Sequence, residues 1–220
     1  MVEAAKSLFL ILSALFPIVD PLGGSPIFLA MTRDYSGSTR RALARKIAVD
    51  SFFLLVGSYF IGTHVLSFFG ISIPVVQVGG GLIVISTGWT LLKQGGDVGQ
   101  KEMKQSIQPV DPFRNAFYPL TMPLTVGPGS ISVAITLGAN APHHQGLSVL
   151  GILTAIVGSL LLAVSIFLCY GFADRLGRAL GTTGMTVILQ LSSFLLVCIG
   201  VQILWNGARV LLTSLNLHVQ

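Results

Sequence analysis

Asp20 is an ionisable residue inside a long apolar run, set between Pro17 and Pro21. A charged side chain near the centre of a bilayer costs about 3 kcal/mol and is functional by default. Its carboxylate could meet a substrate ammonium, hold a cation or carry a proton, which makes Asp20 a candidate for binding and for ion coupling. It could also cap a helix that starts at Pro21, and a cap and a site can coincide.

The surrounding residues recur. Residues 16–26 read FPIVDPLGGSP and residues 118–128 read YPLTMPLTVGP, so three prolines match at a fixed offset of 102. A proline inside a helix removes a donor and crowds the carbonyl four residues back. With Gly23 and Gly24 in one copy, and Gly127 and Gly129 in the other, these stretches should break their helices. Ser25 before Pro26 reads as a helix start, a capping hydroxyl followed by proline at the first helical position. Gly127 before Pro128 repeats it. Each new half-helix would present free N–H groups and partial positive charge, which suit a carboxylate. Thr125 and Ser130 flank the second break, so the binding candidates are Asp20, Gly23, Gly24, Ser25, Thr125, Gly127, Gly129 and Ser130. The alternative is a pair of kinks that only shape packing.

The elements that must position these residues are membrane helices. Of the 220 residues, 52% are hydrophobic and 10% charged, with mean hydropathy +0.81; a soluble domain carries about 25% charged residues. Six apolar spans near the roughly 20 residues needed to cross a bilayer are expected, at about 8–31, 47–69, 71–92, 117–138, 147–172 and 187–212. The polar stretch 93–116 divides the chain into a first three-helix unit, 1–92, and a second, 117–220. Of the thirteen basic residues, only Lys6 and Arg209 fall outside the loops after spans one, three and five. The positive-inside rule then puts the basic loops in the cytoplasm and both termini outside. Three spans per unit make the second unit enter from the opposite side. The expected fold is all-α integral membrane, six transmembrane helices as two inverted three-helix repeats, with helices 1 and 4 broken. VQVGGGLIV at 76–84 against LQLSSFLLV at 189–197 extends the repeat, matching Gln77 to Gln190.

The other polar residues read more simply. Asp50, four residues after Lys46, suits an i,i+4 pair. Gly79, Gly80, Gly81 and Gly88 suit close helix packing, while Ser86 and Thr90 could make a mildly polar wall. Gln202, Asn206 and Arg209 form a stripe near a span end. Trp89 and Trp205 read as interfacial belt residues, and His143–His144 as a solvated turn. Cys169 and Cys198 are buried thiols by the same reasoning. No phosphate loop, metal spacing, nucleophile–base pair or basic–aromatic interleaving is present, so neither cofactor, metal, nucleic acid nor enzymatic activity is expected.

At these motifs the chain resembles the MarC family, also called the neutral amino acid transporter family. The matching pieces are D-P-L-G-G-S-P at 20–26, G-I-S-I-P at 70–74, G-G-G-L-I-V at 79–84, M-P-L-T-V-G-P-G-S-I at 122–131 and F-L-L-V-C-I-G-V-Q at 194–202. The resemblance implies a six-span inner-membrane protein of bacteria, and some members are similar to carriers of glycine, alanine and other small neutral amino acids. Asp20 stands where the family has Asp or Asn. Gln77 and Gln190 stand where many relatives have arginine, which adds both to the candidates. The leading expectation is a secondary transporter of small neutral amino acids, coupled to H⁺ or Na⁺. A passive channel for a small solute and a non-transporting scaffold are the other classes, and a homo-oligomer stays open.

Overall fold

The computed structural model describes residues 2–93, 112–141 and 149–216. Most of the central linker and the His143–His144 turn lie outside them. The described residues are helical apart from short turns and breaks, with no strand among them. Helix α1 spans Val2–Val19 and α2 spans Pro21–Met31. Then follow α3, Gly37–Phe68, and α4, Ile73–Lys93. A single turn at Pro112–Asn115 leads into an irregular segment, Ala116–Thr125. The chain continues as α5, Pro128–Ala139, α6, Val149–Gly171, and α7, Ala173–Asn216.

Five spans are long and apolar enough to cross a membrane, and the pair formed by Phe113–Thr125 and α5, bent by 69°, makes a sixth if taken as one broken span. Large apolar side chains such as Phe9, Phe53, Phe68 and Leu191 point outward. That suits a lipid solvent, in which helix association relies on close packing more than on hiding apolar area.

Two helices extend beyond their apolar spans. Ser36 caps α3, its hydroxyl accepting from Thr39 N at 3.2 Å, so Arg40, Arg41, Arg45 and Lys46 stand on a helix rather than in a loop. Lys46 and Asp50 pair at 3.5 Å, as their spacing predicts. Arg175 and Arg178, expected in a loop between spans five and six, also lie on a helix. The chain turns at Gly181, whose φ of 66° suits a residue without Cβ, and the apolar part of α7 follows.

The packing is led by α4 against α7, with α3 against α6 beside it. Helix α2 lies on α6 and α7, α1 lies on α6, and α5 lies on α3 and α4. The α4–α7 pair is antiparallel and uses the glycines as close-packing residues. A Cβ on Gly81 would come within 2.6 Å of Leu204 N, and one on Gly88 within 2.9 Å of Ser193 O. Gly200 and Gly207 answer from α7 against Ile85 and Pro74. Gly79 faces open space. Because the obstacle at Gly81 is backbone, it cannot swing aside. Gly81→Leu is expected to cost about 2–3 kcal/mol, seen as a lower thermal unfolding midpoint, whereas Gly79→Leu should change it little.

Two apolar cores sit one above the other along α3 and α6. One gathers Val19, Phe28, Leu43, Ile47, Leu120, Ile166 and Tyr170. The other gathers Ile11, Leu15, Leu55, Val126, Ala134 and Leu162. The first break follows Val19 within the first core, and the second runs from Leu120 of the first core to Val126 of the second.

Candidate functional site

The two breaks share a sequence pattern and differ in form. The first is one residue wide. Asp20 has φ 42° and ψ 61°, a left-handed conformation that aspartate tolerates because its short side chain can bond locally. Asp20 Oδ1 accepts from Gly23 N at 3.0 Å, and Asp20 O accepts from Gly24 N at 2.9 Å. The helix therefore restarts at Pro21. This corrects the expected start at Pro26: Ser25 is not the cap. Its buried hydroxyl donates to Leu22 O at 2.9 Å, the carbonyl that Pro26, without an N–H, leaves free.

The second break is long. Met122 replaces Asp20 there and has no capping oxygen. Tyr118 and Met122, each before a proline, are extended, with φ/ψ of −122°/124° and −115°/124°. Both Tyr118–Pro119 and Met122–Pro123 are cis. Buried threonine hydroxyls bond back into the segment: Thr121 Oγ1 donates to Ala116 O at 2.8 Å and Thr125 Oγ1 to Leu120 O at 2.7 Å. Helix α5 then starts at Pro128 with Gly127 as its cap, as the sequence predicts.

The tips differ in consequence. At the first, Gly23 N and Gly24 N are already taken by Asp20. At the second, the cap has no side-chain hydrogen bond, and the first N–H groups of the helix have no carbonyl one turn back. Gly129 and Ser130 therefore present open donors, while the Ser130 hydroxyl donates to Gly127 O at 2.9 Å.

Both breaks border one cavity of about 400 Å³. Asp20, Gly23 and Gly24 line it from the first break, and Thr125, Gly127, Gly129 and Ser130 from the second. Thr87 and Thr90 of α4 and Ser193 of α7 add hydroxyls, and Ile27, Leu124 and Leu196 are among its apolar walls. Ser25 lies behind it. Gln77 and Gln190 also lie outside: Gln77 Nε2 donates to Thr136 Oγ1 at 3.4 Å, and Gln190 is exposed on α7. Ser86 is not on the wall either; Thr87 is.

Sequence reasoning missed two supports. Ser192 of α7 stands beside the Asp20 carboxyl, both crowding the bare Cα of Gly23. Its register with Gly79 in the repeat was the available signal. Tyr170 is fully buried, stacked on Phe28 with ring centroids 4.6 Å apart. Its hydroxyl lies 3.0 Å from Thr125 Oγ1. Since Thr125 gives its proton to Leu120 O, Tyr170 is the donor. A Cβ on Gly24 would strike the same hydroxyl, so Tyr170 braces both breaks. A tyrosine inside a membrane span was its only sign. Tyr170→Phe keeps the stack and removes the bond. It is expected to cost about 1 kcal/mol in unfolding free energy, read from a denaturant or thermal transition.

Residues 5–212 match the family described as MarC family integral membrane protein. This chain belongs to the MarC family. Among its relatives, the inner membrane protein MarC of Salmonella arizonae is 32% identical over 213 residues, covering 94% of this chain and 96% of that protein. The MarC proteins of Citrobacter koseri, 33% identical over 215 residues, and of Escherichia coli O157:H7, 32% over 213, cover the same shares. No solved structure matches the chain. The match takes in α1 to α7 up to residue 212, and with it both breaks and the cavity between them. The relatives are named inner membrane proteins, which agrees with the apolar helices seen here.

Proposed function

We propose that this MarC family chain is a multi-pass inner-membrane secondary transporter of small neutral amino acids such as glycine and alanine, coupled to H⁺ or Na⁺. The observation that carries this reading is the single cavity bordered by both helix breaks, with a carboxylate on one side and a free helix tip on the other. A zwitterion needs both. Its carboxylate would rest on the N–H groups at Gly129 and Ser130, where the helix dipole favours negative charge. Its ammonium would meet Asp20. The volume falls within the range of small-ligand sites, and Gly23, Gly24, Gly127 and Gly129 all lie on its wall. Ion coupling is assigned to Asp20, the one carboxylate on the cavity wall among the described residues.

An inverted repeat fits this reading. Exchange the first three spans for the last three, and the principal contacts map onto one another. The first span on the sixth becomes the fourth on the third. The first on the fifth becomes the fourth on the second. Broken helices paired in this way hold substrate between repeats in other transporters. Both termini are placed outside and the basic ends of the helices in the cytoplasm.

Uptake of labelled glycine and alanine into proteoliposomes tests the reading. Saturable uptake driven by a proton or sodium gradient is expected. Flux that neither saturates nor follows a gradient would indicate a channel. No flux from folded protein, with Gly24→Leu harming assembly alone, would indicate a scaffold.

A further inference from the structure

A second cavity, of about 310 Å³, lies at the basic end of the molecule, away from both breaks. Gly37, Ser38 and Arg41 line it from α3, Phe172 from the link between α6 and α7, and Asp174, Arg175 and Arg178 from the start of α7. Its one carboxylate among the described residues is engaged: Asp174 pairs with Arg40. The three wall arginines, 41, 175 and 178, have no carboxylate partner among the described residues. Two are held in place by the same ring. Arg41 lies 5.7 Å and Arg175 5.3 Å from the centroid of Phe172. Like charges do not gather round one hollow without an energetic cost, and an anion would remove it.

We propose that this cavity binds the phosphate headgroup of an anionic phospholipid. The surface below it selects a lipid over a soluble phosphate. Phe172, just past the end of α6, and Leu168, Val164 and Leu161 within it recur at helical spacing, so they form one stripe that ends at the arginines. They are 38%, 48%, 45% and 43% exposed. An acyl chain can lie on that stripe while its headgroup sits among the guanidinium groups, which bond phosphate in forked pairs.

Binding of fluorescently tagged phosphatidylglycerol to the detergent-solubilised full chain, with tagged phosphatidylcholine as control, tests this. Saturable binding at least about tenfold tighter for phosphatidylglycerol is expected. Arg41→Gln, Arg175→Gln and Arg178→Gln should each weaken it about fivefold, as for one basic residue near an anionic surface. Arg33→Gln, exposed and outside the cavity, should not. Leu168→Asn should weaken it without touching a charge, and millimolar inorganic phosphate should leave it in place. Equal affinity for the two lipids, or equal loss in Arg33→Gln, would overturn the proposal. Displacement by inorganic phosphate would also overturn it, by making this a site for a soluble anion. None of these readouts depends on amino acid transport.

Discussion

Asp20→Asn is expected to lower glycine and alanine uptake by roughly 30- to 150-fold while leaving the protein folded. The estimate is the loss of one charge-assisted bond to an ammonium, about 2–3 kcal/mol. The asparagine variant isolates the charge. Asparagine tolerates the left-handed conformation and offers an oxygen to Gly23 N, so the break and its cap survive. Asp20→Ala removes all three properties at once. It should match the uptake loss and also destabilise, by about 1 kcal/mol for the cap with a further cost for the backbone. Uptake assays beside thermal unfolding separate the effects. Full uptake in Asp20→Asn would reduce Asp20 to a cap and remove it from both substrate binding and ion coupling.

The largest loss of stability is expected at Arg40, which is 7% exposed. Its guanidinium donates to Thr32 Oγ1 at 3.0 Å, Thr32 O at 2.7 Å and Tyr35 O at 3.2 Å, and it pairs with Asp174. Thr32 ends α2, so Arg40 gathers the last carbonyls of the broken first span and ties them to the start of the last helix. A cation at a helix C-terminus also matches the dipole. Arg40→Met should cost about 3 kcal/mol, measured as unfolding in mixed detergent. Asp174→Asn should cost less, about 1 kcal/mol, because that carboxylate is 41% exposed and Arg40 keeps its other acceptors. Equal losses in both would mean that the ion pair, and not the carbonyl cluster, carries the stability.

The positions of the breaks were legible because proline and glycine act through the backbone, and the backbone consequence is local. The Gly127–Pro128 helix start and the close packing of Gly81 and Gly88 were legible for the same reason. The form of each break was not. Pro26 looked like a helix start until Ser25 was seen to satisfy the carbonyl that proline strands. Asp20 and Met122 occupy equivalent places, yet only a residue with a capping oxygen can close its break in one step. The missed residues share another cause. In a soluble helix the polar face points out, so sequence tells which face is buried. In lipid both faces are apolar, and nothing in the periodicity says that Tyr170 turns inward while Gln190 turns out. The helix extensions, 37–46 and 173–180, are hidden in the sequence because their charged residues look like loop. At an interface a helix can carry them, with stems along the apolar surface and heads in water.

The claim that two broken spans make one pocket can be tested by substrate protection. In a chain with Cys169 and Cys198 replaced by alanine, single cysteines at Ile27 and at Leu124 place one label on each side of the cavity. Alanine is predicted to slow maleimide labelling at both positions, with the same half-maximal concentration. Protection at one position alone, or at concentrations that differ between them, would contradict a shared pocket.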